Sequence, residues 1–428
     1  MSKMSVRATA DGKQISLLGY GAMRLPTVDG GHANNWMPDV SNKEIDQAEL
    51  NRQVRYMLEH GLNYFDTSPV YCKGRSEAAL GEALSKSAFK RSEYVIATKL
   101  SNFAPTKWSL DSAKEMFETS LKNLHTDYID NYLLHSVGNG GMDLFSKRYL
   151  DNGALEWCLK LREEKRIRNL GFSFHGDIKV FDYLLERHDK YHWDFCQIQM
   201  NYIDWEHASG RNANAKMLYD RLTALKIPVV IMEPLLGGRL GRYNWALANE
   251  FKVADPSASL AKWAFRFCGS FDNVMTILSG ITYAHHLEED IEIFSPLKRF
   301  DEQEFALASK AAEAYLNLET IPCNSCDYCM PCPYGLDIPG ILTFRNRIKA
   351  AKETLESKEI LKSYYSAIPE PLRRADHCTG CGRCQSHCPQ MIDIPSEIAK
   401  IDAWIDNLKT EVASEDAVEI FKKLMRRF

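Results

Sequence analysis

The feature that most constrains this chain is a pair of cysteine groups within residues 323–389. Each group places four cysteines in one short stretch and ends in the dipeptide Cys-Pro. The first group comprises Cys323, Cys326, Cys329 and Cys332, and the second comprises Cys378, Cys381, Cys384 and Cys388. Closely spaced thiolates followed by proline are typical ligands of [4Fe–4S] clusters. The two groups therefore predict two clusters, with two four-cysteine zinc sites as the alternative.

The second group has the spacing C-x2-C-x2-C-x3-C-P, in which three thiolates bind one cluster and the fourth binds the other. We expect the same crossed ligation here, because it is the assignment with the least strain. Cys388 then joins the first three cysteines of the first group, and Cys332 joins the first three of the second. Both groups continue through Asp-Ile-Pro into a helical pattern, at residues 340–352 and 396–408. This repeat resembles the α-helical two-cluster ferredoxin domains fused to many oxidoreductases.

Composition limits the partners and the compartment. Lys and Arg number 53 against 57 Asp and Glu, so the net charge is −4. This near balance predicts neither a nucleic-acid partner nor binding to a membrane surface. The apolar runs are far shorter than the ~20 residues that span a bilayer, and residues 1–14 lack the apolar segment of a secretory signal. Free thiols and cluster ligands therefore favour a reducing, cytoplasmic location over disulfide bonding.

Ahead of the cysteine groups, short apolar segments alternate with stretches of helical periodicity. The apolar segments are 17–21, 64–67, 94–99, 130–135, 169–174, 195–201, 229–232 and 274–278. Eight such strand–helix units favour an α/β fold of the (β/α)8 TIM-barrel type over a doubly wound sheet. The long insertions 25–42, 136–153 and 236–255 follow strand ends and are candidate substrate loops. We expect a barrel at 1–300, a linker helix at 301–320 and a small α-helical ferredoxin-like domain at 321–428.

Four polar residues lie at or just after the carboxyl ends of successive predicted strands, where a TIM barrel carries its active site. Asp66, Lys99 and His135 end three of these strands, and Tyr71 follows Asp66 in its loop. A phenol with a pKa near 10 is a poor proton donor at neutral pH, and a nearby ammonium favours its ionisation. The four residues therefore predict proton transfer by a tuned tyrosine. The alternative is a purely structural Asp66–Lys99 pair in the barrel mouth.

The same residues carry a resemblance to a known family. The runs YFDTSPVY at 64–71, ATK at 97–99 and LLH at 133–135 resemble the aldo-keto reductases, over about residues 5–295. That family folds as a (β/α)8 barrel and reduces carbonyl compounds with NADPH or NADH. The resemblance implies that Tyr71 donates the proton, that Lys99 and Asp66 tune it, and that His135 orients the carbonyl.

The resemblance also implies a nicotinamide-nucleotide site on the later strands. Ser173 resembles the family's amide-contacting serine, and Gln199 resembles its amide-binding glutamine. The implied pyrophosphate loop comprises Pro234, Leu235, Gly237, Gly238 and Leu240, and the implied adenosine end comprises Ser279, Gly280, Glu289 and Asp290. The chain departs from the family pattern at Phe174, Met232 and Thr282, where the family has asparagine, tyrosine and a basic residue. NADP(H) and NAD(H) both stay open as the cofactor.

The two parts together resemble the iron–sulfur aldo-keto reductases of anaerobes. The resemblance implies an oxidoreductase that interconverts a small-molecule carbonyl and its alcohol and has an attached electron-transfer domain. A nicotinamide transfers two electrons together and a cluster transfers one, so a bound flavin, or a flavoprotein or ferredoxin partner, is also expected. Two alternatives stand beside this reading. One is a non-enzymatic, redox-sensing nucleotide-binding protein, and the other is a ferredoxin-like electron carrier with the barrel as its scaffold.

Overall fold

The computed structural model describes residues 3–9, 12–31, 44–242, 244–351, 355–388 and 390–425. The chain divides into two compact units. The first comprises Met1–Arg242 and Ser257–Ser309, and the second comprises Tyr243–Pro256 and Lys310–Phe428. Within the described ranges, no helix has both the length and the apolar content that crossing a bilayer requires.

The first unit contains a short antiparallel hairpin followed by a closed barrel of eight parallel strands. The hairpin strands are β1 Val6–Ala8 and β2 Gln14–Ser16. The barrel strands are β3 Leu18–Gly21, β4 Tyr64–Asp66, β5 Val95–Leu100, β6 Ile129–Val137, β7 Ile167–Phe174, β8 Phe195–Gln199, β9 Val229–Met232 and β10 Val274–Ser279. Neighbours in the chain are neighbours in the barrel, and β10 closes the ring against β3. The eight predicted strands and the TIM-barrel fold are confirmed.

Helices connect the strands and continue into the second unit. The helices through the barrel region are α1 Gln47–Glu59, α2 Ser76–Ser85, α3 Leu110–Asn123, α4 Gly141–Phe145, α5 Ala154–Glu163, α6 Ile178–Glu186, α7 His188–Tyr191, α8 Asp204–His207, α9 Ala215–Ala224, α10 Trp245–Ala254, α11 Leu260–Gly269, α12 Ala284–Ile293 and α13 Glu302–Leu316. The remaining helices are α14 Ile338–Lys349, α15 Ser357–Ala367 and α16 Ile394–Met425. In α3 the Ser109 hydroxyl accepts the Ser112 N–H, and Ala113, Phe117 and Leu121 face the core at four-residue spacing.

The barrel interior explains why polar residues gather at one end of it. Side chains from the strands fill the centre: Ile15, Tyr64, Val95, Ala97, Leu133, Phe195, Val230, Met275 and Leu278. Successive residues of a strand point to opposite sides, so positions two residues further along share the same side. Asp66 follows Tyr64, Lys99 follows Ala97, and His135 follows Leu133 in this way. The strand pattern therefore directs all three polar side chains inward at the carboxyl end of the barrel.

The amino-terminal end of β6 carries a buried carboxylate with several basic partners. Asp130 is 2% exposed and lies 2.7 Å from Arg91, 3.3 Å from Lys13 and 3.7 Å from Arg168. It also accepts the backbone N–H of Ile96 at 3.0 Å, which ties β6 to β5. This cluster lies at the end of the barrel opposite the polar residues. We therefore expect it to stabilise the folded barrel.

Replacing Asp130 with alanine should destabilise the barrel by about 3 kcal/mol, because the change leaves three cations crowded and one strand N–H unpaired. The measurement is thermal unfolding of the full chain, with a lower midpoint for the variant. The control is Asp111→Ala on α3, whose side chain is 96% exposed and lies 3.9 Å from Lys114. Exposed pairs of this kind contribute little. Equal unfolding midpoints for the two variants would contradict a stabilising role of Asp130.

The second unit is helical and has its own apolar core. Ile341, Ile398 and Ile401 belong to this core, contributed by α14 and α16. Asp337 caps α14 by accepting the Gly340 N–H at 3.0 Å, as its position before Ile-Pro predicts. The predicted helices 340–352 and 396–408 are found as α14 and the first part of α16. The small α-helical domain is therefore confirmed.

Helix α10 belongs to the second unit although it lies in the insertion after β9. The Trp245 N–H donates to the carbonyl of Ala350 at 3.3 Å, and Glu250 pairs with Lys310 at 2.8 Å. Along the chain, the second unit resumes inside α13, which lies within the linker helix predicted for residues 301–320. The boundaries 1–300, 301–320 and 321–428 remain our proposed domain division.

Candidate active site and cluster site

The four predicted catalytic residues lie in one group at the carboxyl ends of β4, β5 and β6. Lys99 Nζ donates to Asp66 Oδ1 at 2.6 Å and to the Thr67 carbonyl at 2.7 Å. The same ammonium lies 4.8 Å from the centre of the Tyr71 ring. The ring centres of Tyr71 and His135 are 5.9 Å apart. The structure thus brings all four residues together, with Tyr71 partly exposed and the other three buried.

The backbone after Tyr71 is held in an unusual conformation. Cys72 and Lys73 have φ values of 49° and 59°, in the left-handed region that non-glycine residues rarely adopt. The Cys72 side chain is fully buried, and its thiol donates to the Met23 carbonyl at 3.5 Å. Left-handed residues at such a site persist when the surrounding packing fixes them. The buried thiol therefore anchors the turn that keeps Tyr71 beside Lys99.

Burial dominates the electrostatics of the group. It raises the pKa of Asp66 and lowers the pKa of Lys99, and each charge opposes the shift of the other. Their short contact is a charge-assisted hydrogen bond. Burial also lowers the pKa of His135 well below its usual value, and the nearby charges of Lys99 and Arg148 lower it further. His135 is therefore a neutral imidazole at physiological pH.

The imidazole of His135 contacts two serine hydroxyls that the sequence reading did not identify. Ser101 Oγ lies 2.6 Å from His135 Nδ1, and Ser68 Oγ lies 2.8 Å from Ser101 Oγ. Phe103 packs against the same imidazole with ring centres 4.9 Å apart. A signal for Ser101 was present in the sequence, because it lies two residues after Lys99 and just beyond the end of β5, where continued strand alternation places it on the same side as Lys99.

The insertion at 136–153, which the sequence marked as a candidate substrate loop, is largely packed into the protein. It forms α4 and a π-helical turn at Ser146–Leu150. Phe145, Arg148 and Tyr149 of this segment are buried. The guanidinium of Arg148 donates to the carbonyl of His135 at 2.7 Å. This segment therefore supports the site from within the protein. The segment 25–42 lies mostly outside the described residues.

Ser173 and Gln199 continue the ring of polar residues on β7 and β8. Ser173 Oγ accepts the backbone N–H of Ser136 at 2.8 Å. Gln199 Nε2 donates to Asp204 Oδ2 at 2.7 Å, and Asn201 Nδ2 donates to the same oxygen at 2.6 Å. Burial raises the pKa of Asp204 to about 6. Asp204, which the sequence reading did not identify, therefore fixes the orientation of the Gln199 amide.

The predicted pyrophosphate loop follows β9 as two tight turns. The N–H groups of Gly238 and Leu240 donate to the Leu235 carbonyl at 2.9 and 3.0 Å. Gly237 and Gly238 have φ values of 67° and 90°, which glycine adopts without strain. A Cβ at Gly238 would meet no atom within 4 Å, so its backbone faces open space. Pro234 is buried at the start of the loop, and Leu240 is fully buried and anchors it.

The predicted adenosine end lies where β10 meets α12. Ser279 Oγ donates to Asp290 Oδ2 at 2.7 Å, and burial raises the pKa of Asp290 to about 7. Glu289 is partly exposed, and a Cβ at Gly280 would meet no atom within 4 Å. Thr282, where a basic residue was expected, is buried and donates to the Arg24 carbonyl at 3.0 Å. The backbone at Gly280 thus faces open space, while the side chains of Ser279 and Asp290 are hydrogen-bonded to each other.

The cysteines of the second unit separate into two sets that cross between the sequence groups. Cys323, Cys326, Cys329 and Cys388 line one cavity, with Leu342, Ile392 and Ile394 among its apolar walls. Burial raises the pKa of Cys329, and the other three cysteines of this set raise it further. Burial raises the pKa of Cys384 to about 11, with further contributions from Cys332, Cys378 and Cys381. Four thiols around an apolar cavity are a donor set that fits a [4Fe–4S] cluster.

The four cysteines of the first set line one shared cavity. Among the residues that the structure describes, no three His, Cys, Asp or Glu side chains are arranged to hold a single metal ion. A zinc site requires such convergence at about 2.3 Å per thiolate. Measured iron, acid-labile sulfide and zinc distinguish the cluster from the zinc alternative.

Comparisons with known protein families agree with this geometry. The model of the aldo/keto reductase family matches residues 17–313, and that of a 4Fe-4S dicluster domain matches residues 322–398. L-galactose dehydrogenase of Arabidopsis thaliana is 26% identical over 316 residues, which cover 70% of this chain and 90% of that protein. An aldo-keto reductase of Mycolicibacterium vanbaalenii is 35% identical over 160 residues, which cover 36% of this chain and 52% of that protein.

Solved structures share the barrel. An aldo-keto reductase from Bacillus halodurans in its holo form matches with a TM-score of 0.56 at 23% identity, covering 73% of this chain and 97% of that one. An aldo/keto reductase from Klebsiella pneumoniae, in complex with NADP and acetate, matches with a TM-score of 0.53 at 20% identity, covering 72% and 95%. The first family model spans well over half of the sequence. This chain belongs to the aldo/keto reductase family of oxidoreductases and carries a C-terminal 4Fe-4S dicluster domain.

Proposed function

We propose that this chain interconverts a small carbonyl compound and its alcohol with NADP(H) or NAD(H), using Tyr71, Lys99, Asp66 and His135. The observation that carries the proposal is the buried Lys99–Asp66 pair, with its ammonium 4.8 Å from the Tyr71 ring. Burying two charges costs desolvation free energy that their mutual attraction commonly does not offset. Stability alone therefore does not explain this pair, and a functional role does. Tyr71 is partly exposed, whereas the other three residues are buried, so a substrate can reach its hydroxyl. The Lys99 ammonium fixed beside it suits a tyrosine that must give up a proton.

Each residue has a distinct role in this reaction. A bound nicotinamide would supply the hydride to the carbonyl carbon. Tyr71 gives its phenolic proton to the carbonyl oxygen, and the Lys99 ammonium stabilises the phenolate that remains. Asp66 holds Lys99 in place through the 2.6 Å bond. His135, held neutral by burial, donates a hydrogen bond that orients the carbonyl.

The later strands would hold the nucleotide. Gln199 and Ser173 would bind the carboxamide, with Gln199 oriented by Asp204. The open backbone at Gly238 and Gly280 leaves room for the phosphates and the ribose, which a Cβ would narrow. The remaining proposed contacts are Pro234, Leu235, Gly237, Leu240, Ser279, Glu289 and Asp290. A structural relative from Klebsiella pneumoniae was solved with NADP, which supports this part of the proposal.

The C-terminal domain would bind two [4Fe–4S] clusters in the crossed manner. Cys323, Cys326, Cys329 and Cys388 would hold one, and Cys332, Cys378, Cys381 and Cys384 the other. Clusters held there would supply electron transfer in one-electron steps. Since hydride carries two electrons, a flavin would be needed between the nicotinamide and the clusters, either bound to this chain or carried by a flavoprotein partner. A ferredoxin partner would exchange electrons with the clusters directly.

Anaerobic turnover tests the proposal. The full chain is mixed with NADPH or NADH and a panel of aldehydes, ketones and sugars, and nicotinamide oxidation is followed by absorbance. Sugars belong in the panel because relatives are named L-galactose dehydrogenase and D-arabinose 1-dehydrogenase. We expect carbonyl-dependent oxidation of at least one nucleotide. Nucleotide binding without turnover would favour the redox-sensing alternative. Cluster reduction by ferredoxin without nucleotide binding would favour the electron carrier.

A further inference from the structure

A chain of two serine hydroxyls lies at one edge of the His135 ring. Nδ1 lies 2.6 Å from Ser101 Oγ and 3.4 Å from Ser68 Oγ. The two hydroxyl oxygens are 2.8 Å apart, and all three groups are buried. A ring nitrogen and a hydroxyl at this distance share one proton, so Nδ1 either donates to Ser101 or accepts from it. The direction of this hydrogen bond therefore determines which ring nitrogen of His135 carries the proton.

A second group acts on His135 from the side of its backbone. Arg148 is 2% exposed, and its guanidinium donates to the carbonyls of His135 and Ser136 at 2.7 and 3.2 Å. It also donates to Asn102 Oδ1 at 3.1 Å and to the Tyr149 hydroxyl at 2.7 Å. All four of these partners are neutral. The positive charge of Arg148 therefore remains effective at the histidine whose carbonyl it holds.

The surroundings of His135 decide which form of the imidazole is stable. The titratable groups that act on it or lie against it are Lys99 on β5, Arg148 and Tyr149 in the π-helical turn, His175 after β7 and Tyr71 in the loop after β4. Lys99 and Arg148 are cations, and the carboxylate of Asp66 forms its ion pair with Lys99. An imidazolium is disfavoured next to two cations in a buried site. A neutral ring must carry its single proton on Nδ1 or on Nε2.

We propose that Ser101 and Arg148 are positioning residues that hold His135 as the neutral imidazole with its proton on Nε2. The role of that proton rests on the proposed function, in which His135 orients the carbonyl. Ser68 donates its proton to Ser101, and Ser101 donates its own to Nδ1. The Nε2–H group, on the ring edge away from the serines, then donates to the carbonyl oxygen. The opposite tautomer would present a lone pair to that oxygen and repel it.

A direct readout is the state of the His135 nitrogens in the full chain labelled with 15N-histidine. The His135 signals are assigned by their loss in His135→Asn. In the wild type we expect a neutral ring protonated on Nε2 throughout about pH 5–8, where free histidine titrates. Ser101→Ala should produce a mixture of tautomers, and Ser101→Thr should restore the single one. Arg148→Met should move the pKa of His135 towards its ordinary value of about 6.5, whereas Arg148→Lys should not.

Kinetics provide a second readout. Ser101→Ala should weaken the hydrogen bond from His135 to the carbonyl and so lower kcat about tenfold, and it should leave KM for the nucleotide near wild type. The matched control is Ser87→Ala just beyond α2, which removes a buried hydroxyl that donates to the Leu84 carbonyl. This control should keep wild-type kcat. A loss of kcat equal in both serine variants would indicate a general effect on folding and overturn the proposal.

The two readouts separate this inference from the proposed function. The nitrogen signals need no turnover, so they test Ser101 and Arg148 even if no carbonyl is reduced. A wild-type ring protonated on Nδ1, or variant signals identical to wild type at every pH, would overturn the positioning role. A chain that turns over carbonyls but shows either of these results would keep the proposed function and lose this inference.

Discussion

Replacing Tyr71 with phenylalanine is expected to lower kcat for carbonyl reduction by a factor of about 100 or more. The phenolic proton is the one that the carbonyl oxygen must receive, and a positioned proton donor contributes about 10²–10⁴ to a rate. Phenylalanine keeps the ring against Lys99 and His135, so the shape of the site changes little. The measurement is steady-state kcat, together with the nucleotide Kd. The Kd should stay close to the wild-type value, because the change removes an interaction of the transition state alone.

A matched control is available on the outside of the barrel. Tyr183→Phe on α6 removes a hydroxyl that lies 3.3 Å from the Tyr191 hydroxyl and has no role in the proposed reaction. It should keep wild-type kcat. If Tyr71→Phe also kept wild-type kcat, Tyr71 would not be the proton donor, and the roles of Lys99 and Asp66 would fall with it.

The barrel was predictable because each strand is a local pattern. Every predicted apolar segment overlaps an observed strand, and the bounds differ by only a few residues. The segment predicted at 64–67, for example, is found as Tyr64–Asp66. The grouping of Asp66, Lys99 and His135 was predictable for the same reason. Parallel strands end at one face of the barrel, so residues at their carboxyl ends meet whatever their separation in sequence.

The support around the catalytic residues was not predictable in the same way. Arg148 belongs to an insertion, and no periodic pattern indicates that its guanidinium reaches the carbonyl of His135. The bond from Gln199 to Asp204 likewise depends on a turn after β8 that brings a carboxylate back to the strand end. The membership of α10 in the second unit depends on contacts between segments distant in sequence. Such features arise from packing, which a single sequence does not display.

The second large effect concerns the clusters. Cys388→Ser is expected to reduce iron and acid-labile sulfide from about eight to about four per chain in anaerobically prepared protein. Cys388 is buried and lines the same cavity as Cys323, Cys326 and Cys329. Loss of this one thiolate should therefore release the cluster of that set alone. The matched control is Cys268→Ser in the barrel, where the buried thiol donates to the Met200 carbonyl and serine can do the same. Its iron content should equal that of the wild type.

Alkylation of free thiols then decides which cluster is lost, since a thiolate bound to iron is protected from the reagent. In Cys388→Ser, crossed ligation exposes Cys323, Cys326 and Cys329 to alkylation and leaves Cys378, Cys381 and Cys384 protected. Ligation within each sequence group predicts the reverse pattern, because Cys388 would then share a cluster with the other cysteines of its own group. Peptide mapping by mass spectrometry distinguishes the two. Stoichiometric zinc without sulfide in the wild type would instead establish the four-cysteine zinc sites, and the proposed electron-transfer role of the second unit would be wrong.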